Sequence, residues 1–342
     1  MSTIDDPLAS LPADRRDRAR SALTAVFGAA PVSVTRAITT GASASIHRIE
    51  VGGRSWLLRL ESFQRDEVRD SERAYACMRS AAEAGIAPAI LHADATAGVA
   101  IMAFVASRPL DDFRGGPEAL ARSLGDLAAR LQATPVFPAV ASYPSIVGGL
   151  LDRLQRTALY GALLDPHRDG FERLCAAYPW EESSLASSHN DPHPGNILFD
   201  GERLWLIDWE TAYRNDPAVD LAIMTMYRAS TPELQETLLQ AWRGRPSDPE
   251  LRARVFLMRQ LAKLFYGCAN GLYLSETRPD LVETDMTAPT PAVFSAAIRD
   301  GRLVQNSPDA QRIGGKVALR TFLEGVTSAA FEEAAAILRA GA

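Results

Sequence analysis

Lysine is almost missing from this chain of 342 residues. Only Lys263 and Lys316 occur, and arginine carries nearly all of the positive charge. Any cationic contact in the first 262 residues therefore falls to arginine. The bias reads as base composition of the source genome rather than as function. Cysteine is scarce too: Cys77, Cys175 and Cys268 are odd in number and far apart. They lie in apolar helical contexts, which predicts buried free thiols rather than disulfides or metal ligands. No run approaches the roughly 18 apolar residues of a membrane span. The opening MSTIDDPLAS is acidic and carries no cationic, apolar leader pattern, so a cytoplasmic location is expected. Internal repeats and low-complexity tracts are absent. The formal net charge is −6, which excludes broad affinity for nucleic acid. What is left is a globular composition, long enough for one large domain or two lobes with a sizeable core.

The informative stretch runs from Ser187 to Met226. It holds two polar clusters in an apolar setting: His189-Asn190-Asp191-Pro192-His193-Pro194-Gly195-Asn196, and Ile207-Asp208-Trp209-Glu210. Between them lie the short apolar runs Ile197–Phe199 and Leu204–Ile207, separated at Asp200-Gly201. That dipeptide between apolar runs predicts a hairpin, because glycine accepts the positive φ of a tight turn. Closing the hairpin gathers Asp191, Asn196 and Asp208. This set suits phosphoryl transfer. A nucleotide's phosphates carry several negative charges, and Mg²⁺ bridging them takes hard oxygen ligands. Asn196 and Asp208 supply such oxygens, leaving Asp191 to orient a hydroxyl and accept its proton. The five-residue step from Asp191 to Asn196 matches the H-x-D-x-x-x-x-N catalytic loop of kinases, and Asp208 stands where those enzymes place the DFG aspartate.

HNDPHPGNILFDGERLWLIDWETAYRNDPAVDLA resembles the catalytic segment of the aminoglycoside phosphotransferase and choline kinase superfamily. Its IDWE…NDPAVDLA part is similar to the bacterial choline kinase-like branch. The likeness is dense over Ser187–Met226, looser over Ile38–Leu131 and thin in the last hundred residues. It implies an α+β, two-lobed protein kinase-like fold. The smaller lobe would be residues 1–105, an antiparallel sheet with an N-terminal helix. The larger, 106–342, would be mainly helical and carry the catalytic loop, metal site and acceptor site. ATP and Mg²⁺ would lie between them. The resemblance makes Asp191 the catalytic base, Asn196 and Asp208 the metal ligands, His189 the brace of the catalytic loop, and Asp220 a buried acceptor of hydrogen bonds from it. Asp216, ahead of Pro217, reads as a helix cap or turn residue. Glu210 reads equally as a solvated edge residue or as a charge facing a cationic substrate.

Upstream, Val32–Leu60 reads as three strands after a helix at Ala13–Ala29. The small-residue loop Thr39–Ser45, with Gly41 and Ser43, would let backbone N–H groups approach phosphates. Gly52-Gly53 is a hairpin turn. On the third strand, Trp56–Leu60, Arg59 stands where a kinase carries its phosphate-binding lysine. Arginine keeps the charge and grips phosphate through two N–H groups. A helix over Asp66–Ala84 offers Glu72 as the partner of Arg59, with Glu67 as competitor. Strands follow at Ile90–Ala93 and Val99–Val105, and Ala103-Phe104-Val105 resembles the hinge where adenine bonds to backbone.

The remainder reads as helices at Pro117–Ala133, Ser145–Leu164 with Ser145 as cap, Arg168–Tyr178, Pro217–Ala229, Pro232–Arg243, Pro249–Tyr273 and Val317–Arg339. A short helix is expected near Val293–Ile298. Trp209, Trp242, Tyr266 and Tyr273 could offer faces to a quaternary ammonium, although each also suits core packing. The expected activity is transfer of the γ-phosphoryl group of ATP to a hydroxyl of a small cationic acceptor, choline or another amino alcohol. An aminoglycoside or other metabolite is the alternative. Two rival classes are a nucleotide-binding pseudokinase, against which the intact Asp191, Asn196 and Asp208 argue, and a metal-dependent hydrolase built on His189, Asp191 and His193. The latter leaves Asn196, Asp208 and the hairpin without a role. Nothing in the sequence sets the oligomeric state or the choice between ATP and GTP.

Overall fold

The computed structural model describes residues 8, 11, 13–40, 44–61, 70–181 and 184–341. The chain forms two compact units. The first comprises Met1–Val140, Ala186–Arg214 and Tyr227–Gly244, and the second Ala141–Leu185, Asn215–Met226 and Arg245–Ala342.

The first unit is built on a five-stranded antiparallel sheet in the order β1-β2-β3-β5-β4. Its strands are β1 (Val32–Thr40), β2 (Ala44–Val51), β3 (Arg54–Glu61), β4 (Ile90–Asp94) and β5 (Val99–Ala103). Gly52 and Gly53 both take positive φ between β2 and β3, as a two-residue hairpin turn requires. Side chains alternate faces along a strand. On one face Ile49, Leu58, Leu60, Val99 and Ile101 pack with Ala19, Ala22 and Leu23 of helix α1 (Ala13–Phe27). On the other, Ile46, Arg48 and Glu50 of β2 and Leu57, Arg59 and Glu61 of β3 line a cavity. Cover on both faces explains why β3 reads as a nearly unbroken apolar run.

Helix α2 is described over Ser71–Glu83, and the expected start at Asp66 lies outside the described residues. The Asp70 carboxylate accepts from the Glu72 N–H and caps the helix. Helix α3 (Gly116–Gln132) follows, and after the 186–214 segment helix α7 (Pro232–Arg243) packs on it at Gly125. In the 186–214 segment, β6 (Ala186–Ser188) pairs with β9 (Tyr213–Asn215), and β7 (Ile197–Phe199) with β8 (Leu204–Leu206). The β7–β8 hairpin is as expected, but its turn is longer than the two residues Asp200-Gly201. Four residues make it. The Asp200 carboxylate accepts from the N–H groups of Glu202 and Arg203, and Gly201 takes φ 104°.

The second unit is helical: α4 (Tyr143–Gln155), α5 (Asp165–Ala177), most of α6 (Ala218–Arg228), α8 (Pro249–Thr277), α9 (Pro291–Arg299), α10 (Pro308–Val326) and α11 (Ala329–Gly341). Ser142, not Ser145, caps α4, and the helix ends at Gln155 rather than Leu164. The single terminal helix expected over Val317–Arg339 is two, because the Ser328 hydroxyl accepts from the Phe331 N–H and starts a new turn. Asp216 has the structural role its sequence position suggests. It accepts from the Ala218 N–H at the start of α6, from the Tyr178 hydroxyl at 2.6 Å and from Arg254 at 2.9 Å. All three cysteines are free thiols.

Candidate active site

The catalytic-loop segment is positioned by strand pairing on both sides of it. β6 delivers His189 and Asn190, and the single 3₁₀ turn Pro194–Asn196 leads into β7. His189 is fully buried. Its Nε2–H donates to the Ile207 carbonyl at 2.8 Å, and its Nδ1 accepts from the Asp191 N–H at 3.3 Å. The two bonds require the neutral tautomer. Burial supplies it, pushing the ring's pKa down to about 4 against the partial opposition of the Ile207 carbonyl and Asp208. Asn190 takes a left-handed φ of 65° and donates to the carbonyls of Thr211 at 2.9 Å and Tyr213 at 3.3 Å. Asparagine tolerates that conformation better than most residues. The Ile207 N–H closes the hairpin on the Asn196 carbonyl at 3.0 Å.

Asp191 and Asn196 are in contact. The Asn196 Nδ2 donates to the Asp191 carbonyl at 3.0 Å and reaches its carboxylate at 3.4 Å. That leaves the Asn196 side-chain oxygen for another partner. His193 Nε2 is 3.7 Å from the Asp191 carboxylate. Burial lowers the His193 pKa, with Asp208 acting in the opposite sense.

Asp208 also has a left-handed backbone, φ 66° and ψ 71°. For a non-glycine residue this costs on the order of 1–3 kcal/mol, and it persists where the surroundings over-determine it. The Asp208 carboxylate accepts from Arg59 Nη1 at 3.0 Å, and Arg59 Nη2 is 3.6 Å from the Glu210 carboxylate. Burial works against the Arg59 charge, but Asp208, Glu210 and Tyr75 outweigh it and hold the guanidinium above its ordinary pKa.

Arg59, Asn196, Asp208 and Glu210 border a cavity of about 970 Å³ whose walls all come from the first unit. One end is polar, with Arg59, Glu61, Asn196, Asp208 and Glu210. The rest is apolar, with Ile46, Leu57, Met78, Met102 and Leu198, and Ala103, Phe104 and Val105 form one edge. The volume and the apolar wall suit a small organic ligand such as a nucleotide. Asp191 is one hydrogen bond removed from this lining, through Asn196.

The structure thus brings together Asp191, Asn196, Asp208, His189 and Arg59, with Ala103–Val105 on the same cavity. It does not bring Glu72 to Arg59. With α2 starting at Ser71, Glu72 falls in the first turn and is exposed. Glu210 and Asp208 take the place expected of it. Glu67, Gly41 and Ser43 lie outside the described residues. The hydrolase set is not assembled: His189 is committed to the Ile207 carbonyl, and no cluster of three or more metal-ligating His, Cys, Asp or Glu side chains exists among the described residues. Asp220 is fully buried on α6. Trp209 is core, packed between His189 and Phe137, rather than an open face for a cation.

Two residues of this site have no role assigned from sequence: Asn190, and Arg73 of α2, which donates to the Glu210 carbonyl at 2.9 Å. Asn190 could have been found from its position between two site residues and the left-handed tolerance of asparagine. Arg73 gave no signal, since an arginine on an amphipathic helix reads as part of the solvated face.

Residues 34–254 match the phosphotransferase enzyme family, and the chain belongs to it. It is a phosphotransferase of that family. Among solved structures it is similar to a choline/ethanolamine kinase family protein from Mesorhizobium loti, at 22% identity, TM-score 0.68, covering 95% of this chain and 99% of that one. It is also similar to the choline kinase LicA from Streptococcus pneumoniae, at 14% identity, TM-score 0.62, covering 90% and 96%. A third is the spectinomycin phosphotransferase APH(9)-Ia, solved with ADP and spectinomycin, at 13% identity, TM-score 0.55, covering 91% and 96%. These likenesses establish the kinase-like fold. No curated protein matches the sequence.

Proposed function

We propose that this chain transfers the γ-phosphoryl group of ATP to the hydroxyl of a small cationic acceptor of the amino-alcohol class, choline being the type. One observation carries the proposal: Asn196, Asp208 and Arg59 line the polar end of one cavity whose remaining wall is apolar, and Asp191 touches Asn196 beside that end. The apolar part, edged by Ala103–Val105, would take the adenine. Arg59 would hold phosphate oxygens through its fork of N–H donors. Asn196 and Asp208 form a two-residue hard-oxygen set, which fits Mg²⁺, an ion usually held by one or two protein ligands plus phosphates. When bound, the ion would neutralise charge on the phosphates. Asp191 orients the acceptor hydroxyl. As the acceptor oxygen bonds to the γ-phosphorus, the bond to the ADP oxygen breaks and the hydroxyl proton passes to the Asp191 carboxylate. Most of the rate would come from positioning and charge neutralisation.

The amino-alcohol reading is supported by the choline/ethanolamine kinase neighbours. A second reading, an aminoglycoside or another metabolite as acceptor, is supported by the spectinomycin phosphotransferase at a lower TM-score. A screen of amino alcohols and aminoglycosides for acceptor-dependent ADP release, with the product mass confirmed, decides between them. The proposal expects turnover with an amino alcohol and a mass gain of one phosphoryl group. Turnover confined to aminoglycosides would overturn the acceptor class.

A further inference from the structure

In this chain the helix beside the phosphate-binding cation contributes a cation of its own. Arg73 of α2 is 6% exposed and donates to two backbone carbonyls of the segment after Asp208: Glu210 O at 2.9 Å and Ala212 O. The Cys77 thiol, one turn along the same face, points at the Ala212 carbonyl from 3.6 Å. Burial pushes that thiol's pKa up to about 12, so it stays protonated. From the catalytic loop His189 takes the Ile207 carbonyl and Asn190 takes those of Thr211 and Tyr213. Asp208 sits inside this frame in its left-handed conformation, with Glu210 two residues on against Arg59. A segment bent this way stays bent only while its carbonyls are held. The catalytic loop holds some of them and Arg73 others.

We infer that Arg73 is a positioning residue for phosphoryl transfer. Its guanidinium fixes the 209–212 turn, and through that turn sets the direction of the Asp208 carboxylate and the seat of Glu210 on Arg59. The inference rests on Asp208 and Arg59 serving metal and phosphate as proposed above. Lysine cannot replace Arg73, because a single ammonium on a flexible stem does not span two carbonyls in a fixed plane.

The test compares the full chain with Arg73→Met, which keeps the apolar stem, Arg73→Lys, and the control Arg79→Met. Arg79 lies on the same helix, is exposed and donates to the Ala93 carbonyl at 3.0 Å. Calorimetric binding of ADP is measured with and without Mg²⁺, alongside turnover with the acceptor from the screen. For Arg73→Met the metal-free ADP affinity should stay within about twofold, while the strengthening of ADP binding by Mg²⁺ and kcat should each fall by roughly 10–100-fold, the range for groups that orient metal ligands. Guanidinium ion at low millimolar concentration should restore part of kcat in Arg73→Met and none in Arg73→Lys. Arg79→Met should match the parent. If Arg73→Met is unstable, Arg73→Lys carries the same expectation at smaller size. A variant with a lowered melting temperature but the parental Mg²⁺ effect and kcat would make Arg73 a structural staple and overturn the inference alone. A parent chain that binds no adenine nucleotide would overturn the proposed function and this inference with it.

Discussion

Arg59 stands on β3 with the Asp208 carboxylate at 3.0 Å and the Glu210 carboxylate at 3.6 Å. That a cation belongs on β3 beside the cavity was legible from its order between a small-residue loop and the next helix. Its partner was not. Pairing it with Glu72 needed that side chain to face inward, and on α2 Glu72 is exposed. Asp191, Asn196 and Asp208 were legible because their meeting depends only on a local hairpin. Arg73 was not, because its bonds to Glu210 and Ala212 span more than 130 residues of sequence. The Arg59 assignment predicts that Arg59→Ala raises the KM for nucleotide by about 10–100-fold, the loss of charge-assisted hydrogen bonds worth roughly 1.5–3 kcal/mol. Steady-state kinetics at saturating acceptor measures it, and nucleotide kinetics equal to the parent's would remove Arg59 from the site.

Elements were easiest to place where capping chemistry is written in the chain. Thr231-Pro232 and Asp248-Pro249 each put a side-chain acceptor ahead of a proline in the first turn and start helices at the expected residues, whereas Thr290-Pro291 and Ser307-Pro308 carry the same mark at starts expected later, at Val293 and Val317. The break between α10 and α11 lacked such a mark. It rests on one serine hydroxyl that competes with the helical hydrogen bonds. The α3–α7 contact was equally silent in the sequence. A Cβ at Gly125 would lie 2.2 Å from the Leu238 carbonyl oxygen and 2.9 Å from the Trp242 nitrogen, both backbone atoms. In an unpacked helix Gly→Ala stabilises by about 1 kcal/mol. Here Gly125→Ala should destabilise, by roughly 1–3 kcal/mol of overpacking, and lower the melting temperature by a few degrees. A rise in melting temperature would show that the two helices separate freely.

At the scale of the whole molecule, the kinase-like α+β architecture was legible because one dense motif and an alternating run of strands pointed the same way. The acceptor class was not, since Trp209, Trp242, Tyr266 and Tyr273 have no spacing that marks a pocket for a cation. Stability against acid is also a property of the whole chain. His167, fully buried on α5 with its ring stacked on Phe322, has its pKa pushed by burial from 6.5 to about 4, with the Leu163 and Leu319 backbone opposing in part. A lowered histidine pKa means the unfolded chain takes up the proton first. Stability is therefore unaffected above pH 6.5, declines as pH falls from 6.5 toward 4, and is reduced by roughly 2–4 kcal/mol below that. His189, also near 4, acts in the same direction. Denaturant midpoints at pH 7, 5.5 and 4.5 should show the decline, and His167→Gln should flatten it. An equally steep loss in that variant would assign the acid sensitivity elsewhere.

The account turns on a proton leaving the acceptor hydroxyl for Asp191, and Asp191→Asn addresses that most directly. The substitution keeps the size of the side chain and removes its basicity. The variant should bind Mg·ATP within about twofold of the parent and retain its melting temperature, while phosphoryl transfer to the identified acceptor falls by roughly 10²–10⁴-fold. Turnover within a few-fold of the parent, with binding intact, would contradict the mechanism.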